Sequence, residues 1–240
     1  MSVRYYPLIN KIINAFNIRE RLALPDTKNL EVAFAKPYIT IAREPGSGGR
    51  PIAQLVAKRL KFNFVDELII DELAKSTQKR KEIIKAVDEK SRSWISDMVH
   101  SLLNEEYVDD VKFMTELVRI ILTFALRGNV VILGRGANFM TPFEKGLHVN
   151  VTSPRKVRIL RAMEFEHVDE AEAKERIAKI EKERKDFVKQ FLHKDITKVN
   201  SYDLTINTSN FPITQAADMI VNAYRTKFPT KSFIKFGQLH

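Results

Sequence analysis

Only eight glycines serve a chain of 240 residues, and five of them fall in two short clusters. Gly46, Gly48 and Gly49 follow the β-branched run at 37–43 (PYITIAR) and precede a segment with Ile52, Leu55, Val56 and Leu60 at helical spacing. Gly134 and Gly136 follow a second apolar run, at 130–133. Glycine accepts left-handed dihedrals and lets a ligand approach the main chain closely. Glycine clusters at the carboxyl ends of two strands mark the ligand edge of an open α/β sheet. This arrangement constrains the fold more than any other feature of the chain.

The remaining segments repeat the same order. A short apolar stretch at 62–65 ends at Asp66 and leads into a helical run, with breaks, to about residue 104. Val111, Met114, Val118, Ile121, Leu122 and Ala125 lie on one helical face that stops at Gly128. Runs at 147–151 and 204–206 read as strands, each followed by a helical pattern, the last carrying Ile213, Ala216, Ala217, Ile220, Val221 and Tyr224. Strand-then-helix repetition with near-continuous apolar strands predicts a three-layer α/β domain whose parallel sheet is covered on both faces. We assign residues 1–36 to an N-terminal helical arm, 37–224 to this domain with a charged helical lid at about 165–195, and 225–240 to a basic C-terminal tail.

Composition removes several classes of function. With no cysteine, the chain has no disulfide, thiolate metal site or cysteine nucleophile. No apolar run approaches the ~20 residues that a membrane span needs, and 8–16 is interrupted by Asn10, Lys11 and Asn14 without a cleavage site. The chain therefore reads as cytoplasmic, with no membrane partner. The net charge of +10 is not gathered on one element. Basic residues exceed acidic ones by three in 1–36, by three in 155–198 and by four in 225–240. A duplex-binding protein concentrates charge on a recognition element, so nucleic acid is the weaker expectation and small phosphates the stronger.

The segment REPGSGGRP (43–51) is the candidate phosphate cradle, in which amides at Gly46, Ser47, Gly48, Gly49 and Arg50 converge on an anion at a helix N-terminus. Its alternative is a plain flexible turn. The pattern GxxxxGK[ST] fails in both registers. With Gly48 as second glycine, Gly49 replaces the lysine; with Gly49, Arg50 replaces the lysine and Pro51 the hydroxyl residue. The five histidines form no metal-binding pair, and neither GxSxG nor GxGxxG is present.

ITIAREPGSGGRPIA (39–53) resembles the ITISRE-x-GSGGR-x-IA motif of the cytidylate kinase-like family, a branch of the P-loop nucleoside monophosphate kinases. FNFVDELII (62–70), VVILGRGANF (130–139), VTSPRKVRILRAM (151–163), IEKERKDFVKQF (180–191) and NSYDLTINTS (200–209) follow in family order, so the resemblance spans about residues 37–224. It implies a P-loop fold, ATP as phosphate donor with Mg2+, and a nucleoside monophosphate, CMP or dCMP, as acceptor. The lysine of the parent kinases is absent, and Gly136 stands where they carry an aspartate.

Phosphoryl transfer asks a protein for positioning and for cations around the transferring oxygens. Arg50 at the glycine turn is the candidate substitute for lysine. Arg184 shares a helical stripe with Ile177, Ile180, Phe187 and Phe191, which fits either a group turned over bound phosphates or one snorkelling beside phenylalanines. By resemblance, Arg161 matches a lid arginine, with Arg158 one turn away, and Arg135 matches an acceptor-contacting arginine. Asp66 matches the aspartate that opens the acceptor region, with a helix N-cap as its alternative. Arg43 and Asp203 complete the acceptor candidates, Asp203 being equally a turn residue. Two other functions stay open: a nucleotide sensor of the same fold without catalysis, and a basic nucleic-acid-binding module.

Overall fold

The computed structural model describes residues 34, 36–75, 95, 109–192 and 194–229. Nearly all of the arm, the far end of the helical run at 67–104 with Trp94, and residues 230–240 of the tail lie outside them.

The described chain is a parallel five-stranded sheet wrapped by helices, as the alternating order requires. Strand β1 is Tyr38–Arg43, helix α1 Gly49–Leu60, strand β2 Asn63–Asp66 and helix α2 Glu67–Lys75. Helix α3 (Asp109–Arg127) leads into β3 (Val130–Leu133) and the one-turn helix α4 (Ala137–Met140). Strand β4 (Gly146–Thr152) is followed by α5 (Arg155–Glu166), α6 (Glu170–Leu192), β5 (Leu204–Asn207) and α7 (Ile213–Lys227). The sheet order is β2-β3-β1-β4-β5, and every pair is parallel. Ile41 stands opposite Leu133 on one side and Val149 on the other, which fixes both glycine turns at one edge of the sheet.

The expected parallel sheet is present, but its strands are not apolar throughout. Ile39, Ile41, Val131, Leu133, Leu147, Val149, Val151 and Ile206 bury against α1 and α7. On the opposite face, Tyr38, Val130 and Ile132 join α2, α3 and α4 in a second core. Along β1, β4 and β5 that face instead carries Thr40, Ala42, His148, Asn150, Thr152 and Thr205. Strand side chains alternate between faces, so the sequence GLHVNVT of β4 puts its valines on one side and its polar groups on the other.

The charged stretch after β4 forms two helices. His167 adopts a left-handed conformation (φ 55°) and separates α5 from α6. The pair has a small core of its own, Ile159, Ala162, Ala173 and Ile177. Among the described residues, no helix is long and apolar enough to cross a membrane.

Candidate phosphate loop and adjoining cavity

The loop after β1 is built by glycine where no other residue fits. Gly46 (φ 75°) and Gly48 (φ 79°) are left-handed, and a Cβ on Gly46 would lie 2.8 Å from the Arg158 carbonyl oxygen. Ser47 is fully buried and donates its hydroxyl to the Glu44 carbonyl at 2.8 Å. Helix α1 starts at Gly49 with no acidic residue in its first turn. Among the described residues, no backbone carbonyl accepts from the N–H groups of Gly46, Gly48, Gly49 or Arg50. Four donors thus stand at the positive end of a helix dipole.

Glu44 ties this loop to the end of β4. Its carboxylate accepts from the Thr152 hydroxyl at 2.5 Å and the Ser153 N–H at 3.0 Å. Arg158 is buried beneath the loop, donating to the carbonyls of Ser153 (2.8 Å) and Pro45 (3.4 Å) and pairing with Glu181 on α6. Arg161 donates to the Thr208 hydroxyl (2.9 Å) and carbonyl (2.7 Å), and that hydroxyl donates in turn to the Ser47 carbonyl. Arg50 pairs with buried Asp66, whose other oxygen accepts from the Ile69 N–H at 3.1 Å and so caps α2. The guanidiniums of Arg50, Arg158 and Arg161 are therefore each engaged within the fold.

The second glycine turn opens onto a cavity of about 580 Å³. Gly134 (φ 86°), Arg135 (φ 52°) and Gly136 (φ 65°) form three successive left-handed residues, a conformation that costs a non-glycine residue ~1–2 kcal/mol. Arg135 is held there by two hydrogen bonds to Asp71, one at 2.8 Å, and by Phe187, whose ring centre lies 5.2 Å from the guanidinium carbon. Arg43 crosses Gly134 at a point that a Cβ would obstruct, and pairs with Glu67. Arg184 donates to the Arg43 carbonyl at 3.1 Å and approaches Glu67 to 3.7 Å.

Three arginines, Arg43, Arg135 and Arg184, thus line one cavity; Arg43 and Arg184 share the Glu67 carboxylate, and Arg135 pairs with Asp71. Burial alone would raise Glu67, but the guanidiniums of Arg43, Arg184 and Arg135 hold it below the usual glutamate range. Burial first, and then the charge of Arg43, push Arg184 down to about 10. A cationic group under that pressure is stabilised by any further anion placed beside it.

The sequence-derived candidates therefore separate into groups. Arg43, Arg135 and Arg184 line the cavity; Gly46 to Arg50 form the neighbouring loop; Arg158 and Arg161 brace that loop from α5. Asp203 lies at the amino end of β5, where it accepts from the His148 N–H at 2.7 Å and pairs with Lys227 at 2.6 Å. It is not among the residues around the cavity. Sequence reasoning passed over Glu67, Asn150 and Thr152. Polar residues at alternate positions of a strand flanked by helices were the signal for the last two.

A family-wide profile described as the cytidylate kinase-like family matches residues 38–210. The chain is 25% identical over 190 residues to a cytidylate kinase of Sulfolobus acidocaldarius, covering 79% of this chain and 94% of that one. It is 26% identical over 190 residues to a cytidylate kinase of Methanocaldococcus jannaschii, covering 77% and 96%. The solved structure of an uncharacterized protein from Eubacterium ventriosum shares the fold with a TM-score of 0.61 at 21% identity, covering 80% and 99%.

Proposed function

The chain belongs to the cytidylate kinase-like family, and on that premise we propose that it transfers the terminal phosphoryl group of ATP to a nucleoside monophosphate, CMP or dCMP. The observation that carries this reading is the adjacency, at the carboxyl ends of the strands, of a loop with uncommitted amides and a cavity lined by three arginines. Four uncommitted amides at Gly46 to Arg50 face a donor polyphosphate, and Arg43, Arg135 and Arg184 face the acceptor's phosphate. An oxygen of the acceptor phosphate attacks the γ-phosphorus, the bond to the β–γ bridging oxygen breaks, and ADP leaves. The charge that spreads over the transferring oxygens is met by guanidinium groups already oriented by Glu67 and Asp71, so little reorganisation opposes the step.

In this scheme α6, within the expected lid at about 165–195, is the lid. Arg158 and Arg161 act as positioning residues, through Pro45 and through Thr208 and Ser47 respectively. Arg50 moves from Asp66 to the donor's β- and γ-phosphates. The magnesium that accompanies ATP finds no hydroxyl ligand in this loop: Pro51 follows Arg50, and the Ser47 hydroxyl is buried and committed to Glu44. Among the described residues, no group of three histidine or acidic side chains is placed to hold a metal ion.

The test is a coupled assay of ADP release with ATP, magnesium and a panel of nucleoside monophosphates, beside Arg50→Ala and Arg161→Ala. Acceptor-dependent ADP that falls in both variants supports the kinase. Tight ATP binding with no acceptor-dependent ADP supports the second reading, a nucleotide sensor, which the missing lysine and the Arg50–Asp66 pair favour.

A further inference from the structure

The polar strip of sheet beneath the cavity is chemically unusual. The central strands of a parallel sheet normally present apolar residues to the helices above them. Here Thr40, Ala42, Asn150, Thr152 and Thr205 form the floor, and α6 lies opposite with Ile180, Phe187 and Val188. Two of the floor's polar groups are committed within the protein. The Thr40 hydroxyl shares a 2.6 Å hydrogen bond with His148 Nδ1, and the Thr152 hydroxyl donates to Glu44.

Asn150 and Thr205 are different. They are register partners on β4 and β5, and Ala42, the neighbour of Asn150 on β1, is too small to cover it. Among the described residues, neither side chain makes a hydrogen bond within the chain. A carboxamide offers one donor and one acceptor group side by side, and Thr205 adds a hydroxyl that does either. Phe139, Phe187 and Tyr202 supply apolar wall, while the three arginines stand at one end.

A ligand that satisfies all three regions has an anionic end, flat apolar faces and a polar edge. A polyol has the polar groups without the faces. A planar heterocycle has both, with the faces against aromatic rings and the edge on the amide.

We infer that Asn150, assisted by Thr205, determines acceptor specificity by hydrogen bonding the polar edge of the nucleobase. This rests on the cavity being the acceptor site proposed above. A carboxamide that makes two hydrogen bonds to a base edge discriminates by ~1–3 kcal/mol, which is about 5- to 150-fold in affinity.

The experiment measures calorimetric binding of cytidine, uridine, adenosine, guanosine and free ribose to the full chain and to Asn150→Leu and Thr205→Val. Thermal unfolding of each variant checks that it is folded. The expected result is one nucleoside bound at least tenfold more tightly than the others, a preference that Asn150→Leu abolishes and Thr205→Val weakens. Equal affinity for all four nucleosides, ribose binding as well as they do, no binding of any of them, or a preference that survives Asn150→Leu in folded protein would overturn it. Nucleoside preference lost with Asn150 in a chain that releases no ADP would sink the kinase reading and leave Asn150 only as the base-recognising residue of a nucleotide-binding cavity.

Discussion

The two faces of strands β1, β4 and β5 are made by the same backbone and do opposite work. Toward α1 and α7, Ile39, Ile41, Leu147, Val149 and Val151 are almost completely buried and form a continuous apolar layer. Toward α6, the alternate residues are threonine, alanine, histidine and asparagine, and the helix stands off to leave the cavity. The first face supplies cohesion by removing apolar area from water at about 25 cal/mol per Å². The second gives up that gain so that polar groups remain available to a ligand. A parallel sheet thus need not be apolar on both sides when one side is the floor of a cavity.

This contrast is open to direct attack. The largest effect belongs to the cohesive face. Ile39→Ala, at a position with no exposure, should cost about 3 kcal/mol in urea unfolding. A loss below ~1 kcal/mol would mean that the apolar layer is not the stability centre.

The next effect comes from His148, the fully buried end of the polar face. Burial pushes its imidazole down to about 4 from an ordinary value of 6.5. Between those values the unfolded chain binds the extra proton, so the contribution is complete above pH 6.5 and disappears progressively as pH falls toward 4. The decline is on the order of 3 kcal/mol over that window. Unfolding midpoints at pH 7, 6 and 5 should show the slope in the wild type and a smaller one in His148→Asn.

At the cavity mouth, Arg184→Ala should raise the acceptor KM at least tenfold while changing stability by less than ~1 kcal/mol, because its side chain contributes charge to the site and only partial packing to the fold. Initial rates over a range of acceptor concentration separate KM from kcat. Smallest of all is Thr205→Val. On an exposed position of the edge strand β5, it should move the unfolding free energy by no more than ~0.5 kcal/mol. A large destabilisation there would mean that the polar floor is structural after all.

Much of the fold was legible because its signals are local. The run VVIL and the strands around Ile41 and Val149 stand out by β-branching and length. The helix carrying Met114, Val118, Ile121 and Leu122 stands out by period. The glycines of the two turns were readable for the same reason, since left-handed dihedrals are demanded residue by residue. The site was legible only in part. Arg43, Arg135 and Arg184 could be proposed singly, yet the meeting of Arg43 and Arg184 on Glu67 brings together residues 141 positions apart, and nothing in the spacing encodes that. Arg161 resembles a lid arginine in sequence, with Arg158 one turn away, and in the fold both brace the loop, because α5 packs against it closely enough for a Cβ on Gly46 to meet Arg158.

What the sequence determined by itself was therefore the order of elements, the parallel α/β class and the placing of glycine at two strand ends, all consequences of side-chain period and backbone freedom. Tertiary structure alone decided which charges meet. Ion pairs depend on distance in space, and a parallel sheet with crossover helices brings together residues that the chain keeps far apart. It also decided that the polar residues of β1 and β4 form a cavity floor and not a solvent face, because only the packing of α6 above them encloses the space between.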